Sequence, residues 1–201
     1  MSSLGRPPMG AVLAGGEGRR LGGDKAVAML AGRPLITYAL AALAAVVADV
    51  TIIAKPGTAL PPAAQLGGAR VIHEPAEPRH PLVGIVAALE AAGDRSVLIC
   101  AADMPFLTPA ALSALADADP GNAPAVVAAQ GAALQPLLGC YQPQAAALLA
   151  DAARQATAPV RAAVAAIGPR VLHLPGGDQL LDNVNSPADL EAAEARLISR
   201  T

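Results

Sequence analysis

The stretch from Met9 to Lys25 constrains this chain more than any other part of it. Met9 to Leu13 is a short apolar run with the character of a strand. It passes directly into a segment holding Gly15, Gly16, Gly18, Gly22 and Gly23, with cations at Arg19, Arg20 and Lys25. Glycine has no Cβ, so the backbone can turn through positive φ and lie close against a ligand. Successive backbone N–H groups in such a loop make a concavity suited to anions, and Arg and Lys add positive charge. A phosphate-rich ligand follows from these properties. The plain structural alternative is a strand-to-helix turn with solvated arginines.

Two common phosphate loops do not fit. A dinucleotide fingerprint needs a third glycine where Leu21 stands after Gly16-x-Gly18. A Walker loop needs Gly-Lys-Ser/Thr, but Asp24 separates Gly23 from Lys25, and Ala26 occupies the place of the magnesium-binding hydroxyl.

The remaining chain reads as one α/β domain. At 201 residues it is long enough for one sizeable core. Aromatic residues make up only 1%, so that core must be aliphatic. A net charge of −2 and almost no stacking side chains argue against nucleic acid as a partner. The uncharged run Pro120 to Ala150 is broken centrally by Pro136, Gln130 and Gln135, which excludes one membrane-spanning helix. The first eight residues lack the apolar core of a secretion signal, so a cytoplasmic protein is expected. Cys100 and Cys140 lie in apolar runs and read as buried free thiols.

Periodicity predicts a helix over Pro34 to Ala48, a strand at Val50 to Ala54, a loop or weak helix over Thr58 to Gly68, and a strand at Ala69 to His73. A helix from Leu82 to Gly93 and an apolar strand at Ser96 to Ala101 follow, then a helix started by Thr108-Pro109. Further on, Ala125 to Ala129 and Leu134 to Tyr141 suit adjacent strands. Pro143 and Pro159 each begin a helix, Arg170 to Leu174 forms a last strand, and Ser186-Pro187-Ala188-Asp189 opens a terminal helix. This alternation predicts a single doubly wound, mostly parallel sheet with helices on both faces. The single domain is expected to span residues 1–201. The glycine loop, Glu74 and Asp103 all fall at C-terminal strand ends, the rim where such sheets bind ligands.

Asp103 follows a buried strand and precedes Met104-Pro105. It suits either a helix-capping turn or a Mg²⁺ site, since magnesium takes one or two carboxylates together with water and phosphate oxygens. Its pairing with the glycine loop favours magnesium. Asn183-Val184-Asn185-Ser186-Pro187 suits a helix-start turn on local chemistry. Whether its two asparagines diverge or cluster depends on how tight that turn is. His73 and His173 read as packed or surface residues.

The segment Leu13-Ala-Gly-Gly-x-Gly-x-Arg-Leu-Gly-x-Asp-Lys25 resembles the signature loop of nucleotidyltransferases that act on pterin cofactors, and in particular that of the molybdenum cofactor guanylyltransferase family, the molybdopterin-guanine dinucleotide biosynthesis protein A group. Ala102-Asp103-Met104-Pro105, Asn183-Val-Asn-Ser-Pro187 and His80-Pro-Leu-Val-Gly84 are similar to further motifs of that family, with His80 in place of a glycine and Gln135-Pro136 in place of His-Pro. The resemblance implies a Rossmann-like nucleotidyltransferase fold and Mg²⁺-dependent transfer of GMP from GTP to molybdenum-molybdopterin, with release of pyrophosphate. Within that fold it implies a nucleotide-binding half over about 9–105 and an acceptor-binding half over about 106–198. It implies catalytic roles for Arg19, Lys25 and Asp103, with Asp103 as the metal ligand. Nucleotide contacts fall to Leu13, Ala14, Gly15, Gly16, Gly18, Lys25, Glu74, Pro81, Leu82, Gly84 and Asp103. Acceptor contacts fall to Asn183, Asn185 and Arg161, the last equally readable as an ordinary exposed helix arginine. Transient contact with molybdenum-insertion or molybdoenzyme partners is a further implication. The alternatives are a cytidylyltransferase, whose loop usually reads Leu-Ala-Ala-Gly, another small-acceptor nucleotidyltransferase, and a nucleotide-binding regulator without catalysis.

Overall fold

The computed structural model describes residues 6–16 and 25–199. Its elements are β1 (Met9–Leu13), β2 (Met29–Leu30), β3 (Arg33–Pro34), α1 (Ile36–Ala44), β4 (Val50–Ala54), β5 (Arg70–His73), α2 (Pro81–Ala92), β6 (Val97–Ala101), α3 (Pro109–Asp117), β7 (Ala125–Gln130), β8 (Ala133–Tyr141), α4 (Ala145–Gln155), α5 (Val160–Ala166), β9 (Arg170–Leu172) and α6 (Pro187–Ile198). Seven strands form one sheet in the order β5-β4-β1-β6-β8-β7-β9, and β2 pairs with β3 in a separate hairpin. The run from β5 to β6 is parallel. β8 is antiparallel to both β6 and β7, and β9 returns parallel to β7. The mostly parallel, doubly wound expectation therefore holds, with one antiparallel insertion.

The central strands are apolar on both sides because both faces are covered. On β6, Leu98 and Cys100 pack with Leu40, Leu43, Leu112 and Leu115 of α1 and α3. Val97 and Ile99 point the opposite way, toward Ile85, Leu89, Leu149 and Val164 of α2, α4 and α5. Side chains that alternate along the strand thus feed two separate core layers. A small third cluster of Leu30, Leu35, Phe106, Val184 and Ala193 ties the β2–β3 hairpin to α6.

Both cysteines are buried free thiols, and burial pushes the Cys140 thiol up to about 11. No described helix is long and apolar enough to cross a membrane.

Helix starts follow their local chemistry. The Thr108 hydroxyl accepts from the Ala111 N–H at 3.2 Å, and Ser186 and Asp189 form a reciprocal capping box at the start of α6. Pro34 departs from expectation. It lies in β3, and α1 begins only at Ile36. Ala31 and Gly32, with φ of 46° and 76°, make the two-residue hairpin turn that pairs Met29 with Pro34. Pro34 has no N–H to offer the ladder, so the strand stops there. The segment 58–68 contains one short 3₁₀ turn, Ala63–Gln65.

Gly139 marks a point in the sheet where two backbones approach closely. A Cβ there would sit 2.7 Å from the Val126 carbonyl oxygen and 3.2 Å from the Val127 Cα. Both neighbours are backbone in a paired strand, so neither can move aside cheaply. Gly139→Ala is expected to lower the unfolding free energy by about 2 kcal/mol, in the range of overpacked core substitutions. Urea denaturation of the two proteins checks it, with an unchanged midpoint as the opposing result.

Candidate active site

β1 has β4 on one side and β6 on the other, so the chain winds away in both directions from the gap between β1 and β6. Ligands bind beyond the C-terminal strand ends at such a switch point. The strand ends are locked together there. Ala14 N–H donates to the Ile53 carbonyl at 2.8 Å, Ala102 N–H to Leu13 at 3.0 Å, and Glu74 N–H to Ala54 at 3.0 Å. A cavity of about 520 Å³ opens on this rim, lined by Leu13, Ala14, Gly15, Gly16, Lys25, Lys55, Glu74, His80, Pro81, Gly84 and Asp103, among others.

One end of the cavity carries a tight charged cluster. The Lys25 ammonium donates to Asp103 Oδ2 in a short contact, and to Asn185 Oδ1 at 2.6 Å. Asn183 Nδ2 donates to the other Asp103 oxygen at 2.8 Å, and the Val184 N–H to the Asp103 carbonyl at 2.9 Å. The Lys25 and Asp103 side chains are only 14% and 13% exposed. Asn183 thus meets Asp103 and Asn185 meets Lys25, so both amides gather in one cluster, the tight-turn outcome of the two the sequence left open. Asp103 does not cap α3, since Thr108 does.

The segment 182–185 is held from behind by α6. Asp189 Oδ2 accepts the N–H groups of Asn185 and Ser186 at 2.8 and 2.9 Å. These bonds, led by the one from Asn185, keep the Asp189 carboxyl below its ordinary value. Arg196 Nη1 donates to the Gln179 carbonyl at 2.8 Å and to Asp182 at 3.0 Å. Its guanidinium stacks 3.8 Å from the Phe106 ring centroid. A second cavity of about 280 Å³ lies here, lined by Phe106, Asp182, Asn183 and Arg196 among others.

The other end of the main cavity holds Glu74, a buried carboxylate. Its Oε1 lies 3.5 Å from the Lys55 ammonium, while Oε2 has no hydrogen-bond partner. Burial raises its pKa, and Lys55 opposes the rise. A Cβ on Gly15 would meet Glu74 Oε1 at 2.3 Å, and one on Gly84 would meet Oε2 at 3.1 Å. These two glycines leave room for the carboxylate and for whatever it faces. His80, in the place of a family glycine, caps α2 by accepting the Leu82 N–H at 3.3 Å.

The structure therefore brings Leu13, Ala14, Gly15, Gly16, Lys25, Glu74, Pro81, Gly84 and Asp103 to one cavity, with Asn183 and Asn185 bonded to its charged end. It does not bring Leu82 there, which is fully buried in the core against the sheet. Arg161 is also elsewhere. It is exposed on α5 and donates to the Leu134 carbonyl at 3.0 Å. Gly18 and Arg19 lie outside the described residues. Sequence reasoning missed Lys55, which stood in the turn signal Lys-Pro-Gly, and Arg196, for which no local signal exists. His73 and His173 are exposed.

A cavity of nucleotide size at the switch point of a mostly parallel sheet, with a lysine and an aspartate at one end and a buried acid at the other, has the form of a nucleotidyltransferase. The comparisons agree. The family described as MobA-like NTP transferase domain matches residues 10–171, and the chain belongs to that family. It is 33% identical over 192 residues to molybdenum cofactor guanylyltransferase from Cereibacter sphaeroides, covering 94% of this chain and 96% of that protein. The protein of the same name from Acidiphilium cryptum is 34% identical, with 92% of each chain covered. Among solved structures, molybdopterin-guanine dinucleotide biosynthesis protein A from Archaeoglobus fulgidus superposes with a TM-score of 0.74 at 26% identity, over 96% of this chain and all of that one.

Burial makes Glu74 hold its proton more tightly in the folded than in the unfolded chain. Its ionisation therefore costs stability: the cost is absent below the ordinary value of 4.5 and grows as pH rises above it toward the raised folded value. Glu74→Gln is expected to unfold at a temperature no lower than the parent at pH 8, and to lose that advantage at pH 4.5. Thermal unfolding at the two pH values checks it, and a lower midpoint for the variant at pH 8 is the opposing result.

Proposed function

We propose that this chain transfers GMP from GTP to the terminal phosphate of molybdenum-molybdopterin, releasing pyrophosphate. The observation that carries the reading is the convergence of Lys25, Asp103 and Asn185 at one end of the cavity while Glu74 occupies the other. A cavity of about 520 Å³ that carries a charged cluster and a separate buried acid has room for a nucleoside triphosphate.

The acceptor phosphate is already ionised, so no residue need act as general base. Its oxygen forms a bond to the α-phosphorus as the bond from that phosphorus to the β-bridging oxygen breaks, and pyrophosphate departs with the electron pair. Repulsion between anionic oxygens is the main barrier, so positioning and positive charge supply most of the catalysis. Lys25 places its ammonium beside the triphosphate, where negative charge develops on the leaving group. Arg19 of the glycine loop is assigned the same charge. Backbone groups of Leu13 to Gly15 meet the base and ribose, and Asn183 and Asn185 meet the acceptor. Arg161, exposed on α5 and absent from the lining of the nucleotide cavity, is the third acceptor candidate.

Asp103 and the Asn185 amide oxygen converge on a cation, the Lys25 ammonium, so their donor set suits a hard metal ion. No group of three or more His, Cys, Asp or Glu that could hold a metal exists among the described residues. A Mg²⁺ held by the Asp103 carboxylate fits that, because magnesium fills its remaining positions with water and phosphate oxygens. When bound, it neutralises charge on the phosphates.

Guanine is favoured by the acid at the base end. An ionised carboxylate only accepts hydrogen bonds, and the guanine edge offers two adjacent donors, N1–H and N2–H₂. Cytosine and adenine each place one amino group beside a ring acceptor, which would face the carboxylate unfavourably.

The test is a turnover panel with GTP, CTP and ATP, molybdopterin acceptor and Mg²⁺. GTP is expected to be preferred, and Lys25→Met and Asp103→Asn are each expected to lower kcat about 100-fold or more, the scale of losing a preorganised charged group. Preference for CTP would move the assignment to the cytosine cofactor branch, and full activity in Asp103→Asn would remove its role.

A further inference from the structure

Lys55 follows β4 directly and Glu74 follows β5 directly. The two parallel strands pair Ala54 with His73, so the next residue of each strand faces the other. The Lys55 ammonium has three donors, and three protein acceptors surround it. They are the Pro75 carbonyl at 2.7 Å, the Pro78 carbonyl at 3.3 Å and Glu74 Oε1 at 3.5 Å. Two hydrogen bonds and one ion pair thus hold the ammonium to the protein, although Lys55 lines the cavity. The side chains of the pair are 11% and 4% exposed. A carboxylate so buried, with one oxygen unpartnered, would take up a proton without a neighbouring cation. A protonated Glu74 would present an O–H donor as well as an acceptor, and a pocket so equipped loses its preference for a base edge made of donors.

We propose that Lys55 is a positioning residue for base selection: it touches no part of the nucleotide, and it fixes Glu74 as an ionised acceptor aimed at a purine edge that carries two adjacent donors. This rests on the guanylyl reading given above. Its consequence is that the preference for the 2-amino group of guanine is set through Lys55. The base end and the chemistry end are then separately adjustable, because Lys25 and Asp103 lie at the far end of the cavity and share no contact with Lys55.

The probes are GTP and ITP, which differ only by the 2-amino group, with CTP as the outgroup, on the full chain with Mg²⁺. Binding is read by titration calorimetry without acceptor, and KM and kcat by turnover. Lys55→Met is expected to weaken GTP binding about tenfold or more, the scale of a lost hydrogen bond to a charged group, and to bring the GTP-to-ITP ratio close to one. kcat at saturating GTP should change less than about threefold, since the chemistry end is untouched. Lys55→Arg, which keeps the charge, should restore the ratio. In a Glu74→Gln background Lys55→Met should have no further effect on the ratio, because one residue acts through the other. Lys55→Gln keeps donors for the two carbonyls and removes the charge. It carries the test if Lys55→Met unfolds, and the same loss of ratio is expected. An unchanged GTP-to-ITP ratio in either uncharged variant, or an effect additive with Glu74→Gln, overturns the role of Lys55 and leaves the guanylyl reading intact. Parent protein that prefers CTP overturns the guanylyl reading itself, and this inference with it.

Discussion

The contact of the Lys25 ammonium with Asp103 and Asn185 is the constraint on which the site depends. It joins residues 78 and 160 positions apart along the chain, and it exists only when three separate pieces of structure are in place. β6 must deliver Asp103 to the rim, the loop after β1 must return at Lys25, and the segment before α6 must fold back across both. A lysine and a carboxylate that close stabilise each other only in a partly buried setting, where water screens them little. Asn183 bonds the second carboxylate oxygen and the Val184 N–H the backbone carbonyl of Asp103, so side chain and main chain of that residue are both tied to the segment before α6.

The opposite end of the cavity follows a different logic. Glu74 is buried with an oxygen unsatisfied and its pKa raised, which makes it an expense to the ligand-free protein. Buried polar groups without partners mark places where stability has been given up for recognition. Gly15 and Gly84 belong to the same arrangement, since a side chain at Gly15 would collide with the carboxylate and one at Gly84 would crowd it. The two ends are therefore built on opposite principles. One is closed by bonds within the protein, and the other leaves a buried acceptor open to the cavity.

Much of this was legible in the residues alone. The apolar β6 run followed by Asp103, the strand-loop at Met9 to Gly16, and the Ser186-Pro187-Ala188-Asp189 helix start each announce themselves through local chemistry, and the structure forms each where expected. Elements set by neighbours were not legible. Pro34 carries the usual signature of a first helical residue, but the Ala31-Gly32 turn claims it for a hairpin. Leu82 sits in a motif beside the cavity, yet helical geometry turns it into the core while Pro81 and Gly84 face out. Lys55 stood in a plain turn signal, and only the register of β4 against β5 puts its charge beside Glu74. Arg196 acts across 14 residues on Asp182 through the packing of α6, and no periodicity encodes that.

The chain order of these parts has a consequence for biosynthesis. Every strand of the main sheet is complete by Leu172, whereas Asn183, Asn185 and the α6 residues that brace them come afterwards. Domains can begin folding while the ribosome is still adding residues. A nascent chain can therefore lay down its whole sheet while Lys25 and Asp103 still lack their asparagine partners, and the cluster closes only as α6 docks.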